Sequence, residues 1–116
     1  MQAMEAAKAL AQAIQESPEY REYSLLKREI DGDAGIKALI QEYRRLQTAM
    51  QMRMLSGQGM EGDDAQRFQS LNMLLFADSR TSGFLLAEMK MQRMMAEIFG
   101  VITQASGLDI PMPGNG

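Results

Sequence analysis

The chain has 116 residues, 46% of them hydrophobic and 23% charged, with 12 Lys+Arg against 15 Asp+Glu. Such a length suits one domain with its own core. Cysteine, histidine and tryptophan are absent, which excludes disulfides, thiolate and imidazole metal sites, a cysteine nucleophile and any Ser-His relay. The net charge of −3 argues against a DNA-binding protein or one whose main task is neutralising phosphates, because that needs a concentrated basic surface.

Valine occurs once, aromatics make up 6%, and no run alternates cleanly, whereas Ala, Leu, Met, Glu, Gln, Lys and Arg dominate; the expected fold class is all-α. The first helix is expected from about Gln2 to Glu16, with Met4, Ala7, Ala11 and Ile14 in one stripe and Leu10 beside it. Ser17-Pro18-Glu19 is a start signal, combining a capping hydroxyl, a proline preorganised at the first helical position and an acid at the positive dipole end. The second helix then runs to about Ile30. Asp31-Gly32-Asp33 ends it, with Gly32 expected in the left-handed exit conformation and Asp33 as the next cap.

The third helix spans about Ala34 to Ser56, and its stripe is Ile36, Leu39, Tyr43, Leu46 and Met50. Gly57 to Gly62 then turns the chain, and Asp63 with Gln66 has the spacing of a capping-box variant. The fourth helix is expected from about Asp64 to Phe76, followed by a break at Asp78-Ser79. The fifth runs from about Arg80 to Ser106, with Phe84, Ala87, Met91, Met94, Ile98, Val101 and Ala105 stepping by three and four. Gly107 is expected to end it, leaving a single domain over 1–108 and a flexible tail over 109–116. No repeat or linker divides it.

At ~1.5 Å per residue the third and fifth helices would be about 35 and 40 Å long, whereas a domain of this size is about 30 Å across. Their apolar faces persist to the ends and must be covered. Pairing with a second copy does this most simply, so a homo-oligomer, a dimer or larger, is expected through Leu39, Tyr43, Leu46, Met50, Phe84, Met91, Met94, Ile98 and Val101.

Several patterns could carry chemistry. Gly57, Gly59 and Gly62 spell G-x-G-x-x-G, but dinucleotide binding needs a strand before the loop, and a helix stands there. Glu61, Asp63 and Asp64 lack the alternating oxygens of a calcium loop and read as charge at a helix start. Glu88 and Glu97 lack the Glu-x-x-His partners of diiron bundles. The 12 methionines read as core filler, as an adaptable partner-binding face, or as thioether ligands for copper, in that order. Met52 and Met89 lie off the main stripes. Arg44, Arg45 and Arg53, with Lys37 nearby, form the densest basic group and could contact RNA or a partner; the plainer reading is a solvated face with Glu42 paired to Arg45. Tyr20 and Tyr23 could stack bases but sit at core spacing beside Leu26 and Ile30. No catalytic, cofactor-binding or metal-binding residue is assigned.

The order of these signals carries a resemblance. An Ala-rich opening helix, then Glu16-Ser17-Pro18-Glu19-Tyr20, Ile40-Gln41-Glu42-Tyr43-Arg44-Arg45-Leu46-Gln47, a Ser56-Gly57 turn, and Leu85-Leu86-Ala87-Glu88 in the long last helix resemble the YlbF/YmcA family over about residues 3 to 110. The closing Gly107-Leu108-Asp109 looks like its YlbF branch. The resemblance implies a small, all-helical, non-enzymatic protein that self-associates or pairs with paralogues. In Firmicutes, family members promote competence, sporulation and biofilm formation and assist ribonuclease Y in processing selected transcripts. The expected partners are therefore paralogues and RNA-decay machinery, with a direct RNA-binding module as the alternative. Two departures matter: the chain has no cysteine for the iron–sulfur cluster ascribed to some members, and the family's Asn-Pro before the last helix is here Asp78-Ser79. The N-terminus has no basic run before an apolar core, and no stretch approaches the ~20 apolar residues of a membrane span. A cytoplasmic protein is expected.

Overall fold

The computed structural model describes residues 2–59 and 62–108. Five helices follow one another: α1 (Gln2–Gln15), α2 (Pro18–Asp31), α3 (Ala34–Leu55), α4 (Asp63–Ala77) and α5 (Ser79–Ser106). No strand occurs among the described residues, as the composition implies. The expected tail over 109–116, and Glu61 of the acidic loop cluster, lie outside the described residues.

The helix ends follow from local chemistry. Ser17 caps α2, its hydroxyl oxygen accepting from the Tyr20 N–H at 3.2 Å while its O–H donates to the Ile14 carbonyl at 2.6 Å. Asp33 caps α3 by accepting from the Ile36 N–H at 3.1 Å. At the far end of α3 the Gln58 N–H donates to the Arg53 carbonyl at 2.7 Å and the Gly57 N–H to the Met54 carbonyl at 3.1 Å. This paired closure requires a left-handed residue between, and Gly57 supplies it with φ +79°.

Two local expectations are corrected. Gly32 is not left-handed; positive φ occurs at Gly57, Gly62 and Gly107 among the described residues. The Gly32 N–H still donates to the Arg28 carbonyl and the Asp33 N–H to the Ile30 carbonyl, so α2 tightens and stops without a left-handed exit. The Asp63–Gln66 capping box does not form either. Gly62, with φ +74°, takes the cap position, no side chain caps it, and Asp63 is already the first helical residue.

The chain divides into two compact units. One is continuous in sequence, Lys27–Phe84, and contains α3 packed along α4. Leu46, Leu71 and Leu75 are at most 2% exposed there, joined by buried Ile30, Ile40, Tyr43 and Phe84. The Tyr43 and Phe68 rings stack with centroids 5.1 Å apart, and the Tyr43 hydroxyl donates to Asn72 Oδ1 at 3.2 Å. The other unit comprises the chain up to Leu26 and from Leu85 onward. Its α1 segment has no fully buried residue, Leu10 and Ile14 are half-buried, and Leu85 and Ala87 are its buried positions. Lys90 of α5 pairs with Glu22 of α2 at 3.7 Å.

The corner between α4 and α5 is one residue long. Asp78 caps α5, its carboxylate accepting from the Arg80 N–H at 2.8 Å. The buried Thr81 hydroxyl donates to the Leu75 carbonyl, with the Asp78 carbonyl 3.1 Å away. Thr81 thus satisfies the Leu75 carbonyl, one that the end of α4 leaves without a helical partner, while the Asp78 carbonyl also accepts from the Ser82 N–H at 2.9 Å.

Candidate interaction surface

Among the described residues no group of three or more acidic side chains is placed to hold a metal ion, and no helix is long and apolar enough to cross a membrane. What the surface offers instead is uncovered apolar area. On α5 the stripe keeps one period while its burial falls along the chain. Phe84 and Ala87 are buried, Met91, Met94, Met95 and Ile98 are half-buried, and Ile102 and Val101 are 50% and 71% exposed. Phe99 and Leu108 are exposed beside them. Between Ile98 and Leu108 there is no charged residue. A stripe of this kind on a helix of about 42 Å is suited to burying apolar area against another surface.

A second apolar feature lies within Lys27–Phe84. Met50, Met54, Gly59, Ala65, Phe68 and Gln69 line a shallow cleft of about 380 Å³. Met52, Met54 and Leu55 stand exposed at the end of α3, and Met73, Leu74 and Phe76 are exposed on α4. Met52 and Met89 are both exposed, as their places off the stripes imply.

The residues expected at an oligomer interface therefore divide by burial. Leu46, Tyr43 and Phe84 are buried within the single chain and have little area left for a partner. Leu39, Met50, Met91, Met94 and Ile98 are half-buried, and Val101 is exposed. The second group retains area to bury elsewhere.

The basic residues also separate. Arg44 and Arg53 are nine residues apart, which on a helix of 3.6 residues per turn places them about half a turn apart in azimuth. Arg44 lies over the Phe84 ring, 5.8 Å from its centroid, while Arg45 and Arg53 are exposed. The three arginines do not form one patch. Nor does Glu42 pair with Arg45. It takes Arg67 of α4, which donates through both Nε and Nη2 at 2.9 Å. That fork between helices explains the direction of the Glu42 pKa, held below the usual carboxylate range first by the Arg67 hydrogen bonds. Asp78 is likewise lowered, by the Arg80 backbone N–H and then by its guanidinium. Arg80 also reaches Asp33 at 4.0 Å, touching the caps of both long helices. Arg67 and Arg80 drew no notice in the sequence because their partners are set by packing or by cap geometry.

Known proteins place this arrangement. A structure described as a protein of unknown function (DUF964) from Bacillus stearothermophilus superposes with a TM-score of 0.69 over 92% of this chain and 94% of its own, at 16% identity. The chain is 24% identical over 105 residues to a UPF0342 protein of Symbiobacterium thermophilum, covering 90% of this chain and 94% of that one. It is 29% identical to a UPF0342 protein of Desulfitobacterium hafniense, over 90% of this chain and 85% of that one. The family described as control of competence regulator ComK, YlbF/YmcA, matches residues 3–105. That match spans all five helices to within a residue or two of each end, and by it the chain belongs to the YlbF/YmcA family.

Proposed function

We propose that this protein is a non-enzymatic regulatory adaptor that self-associates or pairs with paralogues through the uncovered part of α5. The observation that supports this most directly is the burial gradient along one unbroken stripe, from buried Phe84 and Ala87 to Val101 at 71% exposure. A helix whose apolar period continues past its own cover is built to be covered by something else. Met91, Met94, Ile98 and Val101 supply the contact area, with Leu39 and Met50 as a second strip on α3.

In this reading the assembled protein acts in the cytoplasm, where it assists ribonuclease Y-dependent processing of transcripts that govern competence, sporulation or biofilm formation. The family's link to a competence regulator supports the direction of that assignment. Its test has two arms. Light scattering should give at least twice the single-chain mass of 12.9 kDa, and co-purification from the native host should recover paralogues and RNA-decay factors. A single-chain mass together with recovery of neither class would end the proposal.

A further inference from the structure

The structure separates the arginines of α3 into two sets, and one set shares a face with apolar residues. Arg45, Ala49 and Arg53 form an i, i+4, i+8 row, with Met52 seven residues from Arg45 on the same side. Arg45, Met52 and Arg53 are exposed, and Ala49 is half-buried between them. The two guanidinium-bearing positions lie about 12 Å apart along the helix axis. Neither arginine makes a close ion pair among the described residues, although Arg45 lies near enough to Glu42 to help lower its pKa, in contrast to Arg67, held by Glu42, and Arg80, held by Asp33 and Asp78.

From this we infer that the Arg45–Ala49–Met52–Arg53 face of α3 docks an acidic amphipathic helix of a partner protein. Two cations two turns apart match carboxylates at i and i+7 or i+8 of a helix lying along α3. Ala49 leaves room for close approach, and Met52 packs against whatever apolar side chain falls between. Arginine is permanently charged and offers a planar fork for a carboxylate. Two cations set around a methionine and an alanine suit a peptide face better than a phosphate backbone, whose binding gains with each further neutralised charge. This inference rests on the adaptor reading only in supposing that a partner exists; it uses a different helix face from the α5 stripe.

The test uses the full chain and three fluorescent probes. One is an 18-residue helical peptide with Glu at two positions eight apart and Leu between them. The second is the same peptide with Lys for Glu, and the third is a single-stranded oligoadenylate RNA. At low ionic strength the acidic peptide should bind, and added salt should weaken it. Arg45→Glu and Arg53→Glu should each weaken binding by roughly tenfold. Arg28→Glu, an exposed change on α2, should leave it unaltered, as should the mass of each variant by light scattering. Circular dichroism checks that the variants stay helical, and Arg45→Gln gives the same comparison should the charge reversals unfold. The idea fails if the acidic peptide does not bind, if it binds equally to the arginine variants, if the Lys peptide binds as well, or if the RNA binds through the same two arginines. A single-chain mass with intact peptide binding would remove self-association through α5 and leave this inference standing.

Discussion

The two compact units are built on different terms. Lys27–Phe84 is continuous in sequence, carries eight basic and eight acidic residues, and holds all four of the largest fully buried side chains, Leu46, Leu71, Leu75 and Thr81. The other unit has four basic and seven acidic residues, and its α1 segment contains no fully buried residue. The leucine core, with a stacked Tyr43–Phe68 pair beside it, is closed to water, although Met52, Met54, Leu55, Met73, Leu74 and Phe76 stay exposed around it. Half-buried methionines beside exposed Val101 and Ile102 do not meet that standard. Both regions leave apolar area exposed, but the first encloses large side chains fully and the second encloses little.

The contrast can be broken from either side. Leu71→Ala, at a position with 0% exposure, should lower unfolding free energy by roughly 3–4 kcal/mol in denaturant titrations. The equivalent truncation Ile102→Ala should cost under about 1 kcal/mol in a dissociated chain and more in an assembled one; equal losses in both states would erase the distinction. Ile98→Asp should dissociate or unfold the assembly by placing an unpaired charge in the stripe, at a cost of roughly 2–3 kcal/mol, seen as a fall in light-scattering mass or in Tm. Thr81→Val keeps the shape of a buried side chain while leaving the Leu75 carbonyl without its donor, and thermal melts should report a loss of about 1–2 kcal/mol.

The smallest effect concerns pH. Glu42 and Asp78 both have folded pKa values below their ordinary ones. The stabilisation from each is therefore complete above the ordinary carboxylate range of about 4 and is lost as pH falls through the lowered folded values. Glu42→Gln, which resembles the protonated acid, should lower Tm slightly at pH 7 and converge on the parent near pH 3, so that the fall between about pH 5 and pH 3 flattens. A variant whose melting falls as steeply as the parent's would show that the Arg67 fork contributes nothing.

How much of this was legible in the chain depended on sequence distance. Ser17, Asp33 and Gly107 were readable because a cap is decided within a few residues. Gly32 misled because a glycine after a helix permits a left-handed exit without requiring one, and here a tightened last turn suffices. The Glu42–Arg67 fork joins residues 25 apart. No local rule favours Arg67 over Arg45, which stands only three residues from Glu42. The α5 stripe was visible as one periodic face, but periodicity is the same in Phe84 and Val101, so it could not say where the cover stops. The basic group looked like a cluster because Arg44 and Arg45 are adjacent in the chain, whereas adjacent residues on a helix diverge by about 100°.

The discontinuity of the second unit has a consequence for biosynthesis. Every residue of Lys27–Phe84 is synthesised before the last helix is complete, so its leucine core needs no residue made after Phe84. The opening helix has no such independence. Its own unit is finished only when the stretch beyond Leu85 has been made, so the oldest part of the nascent polypeptide waits longest for its neighbours.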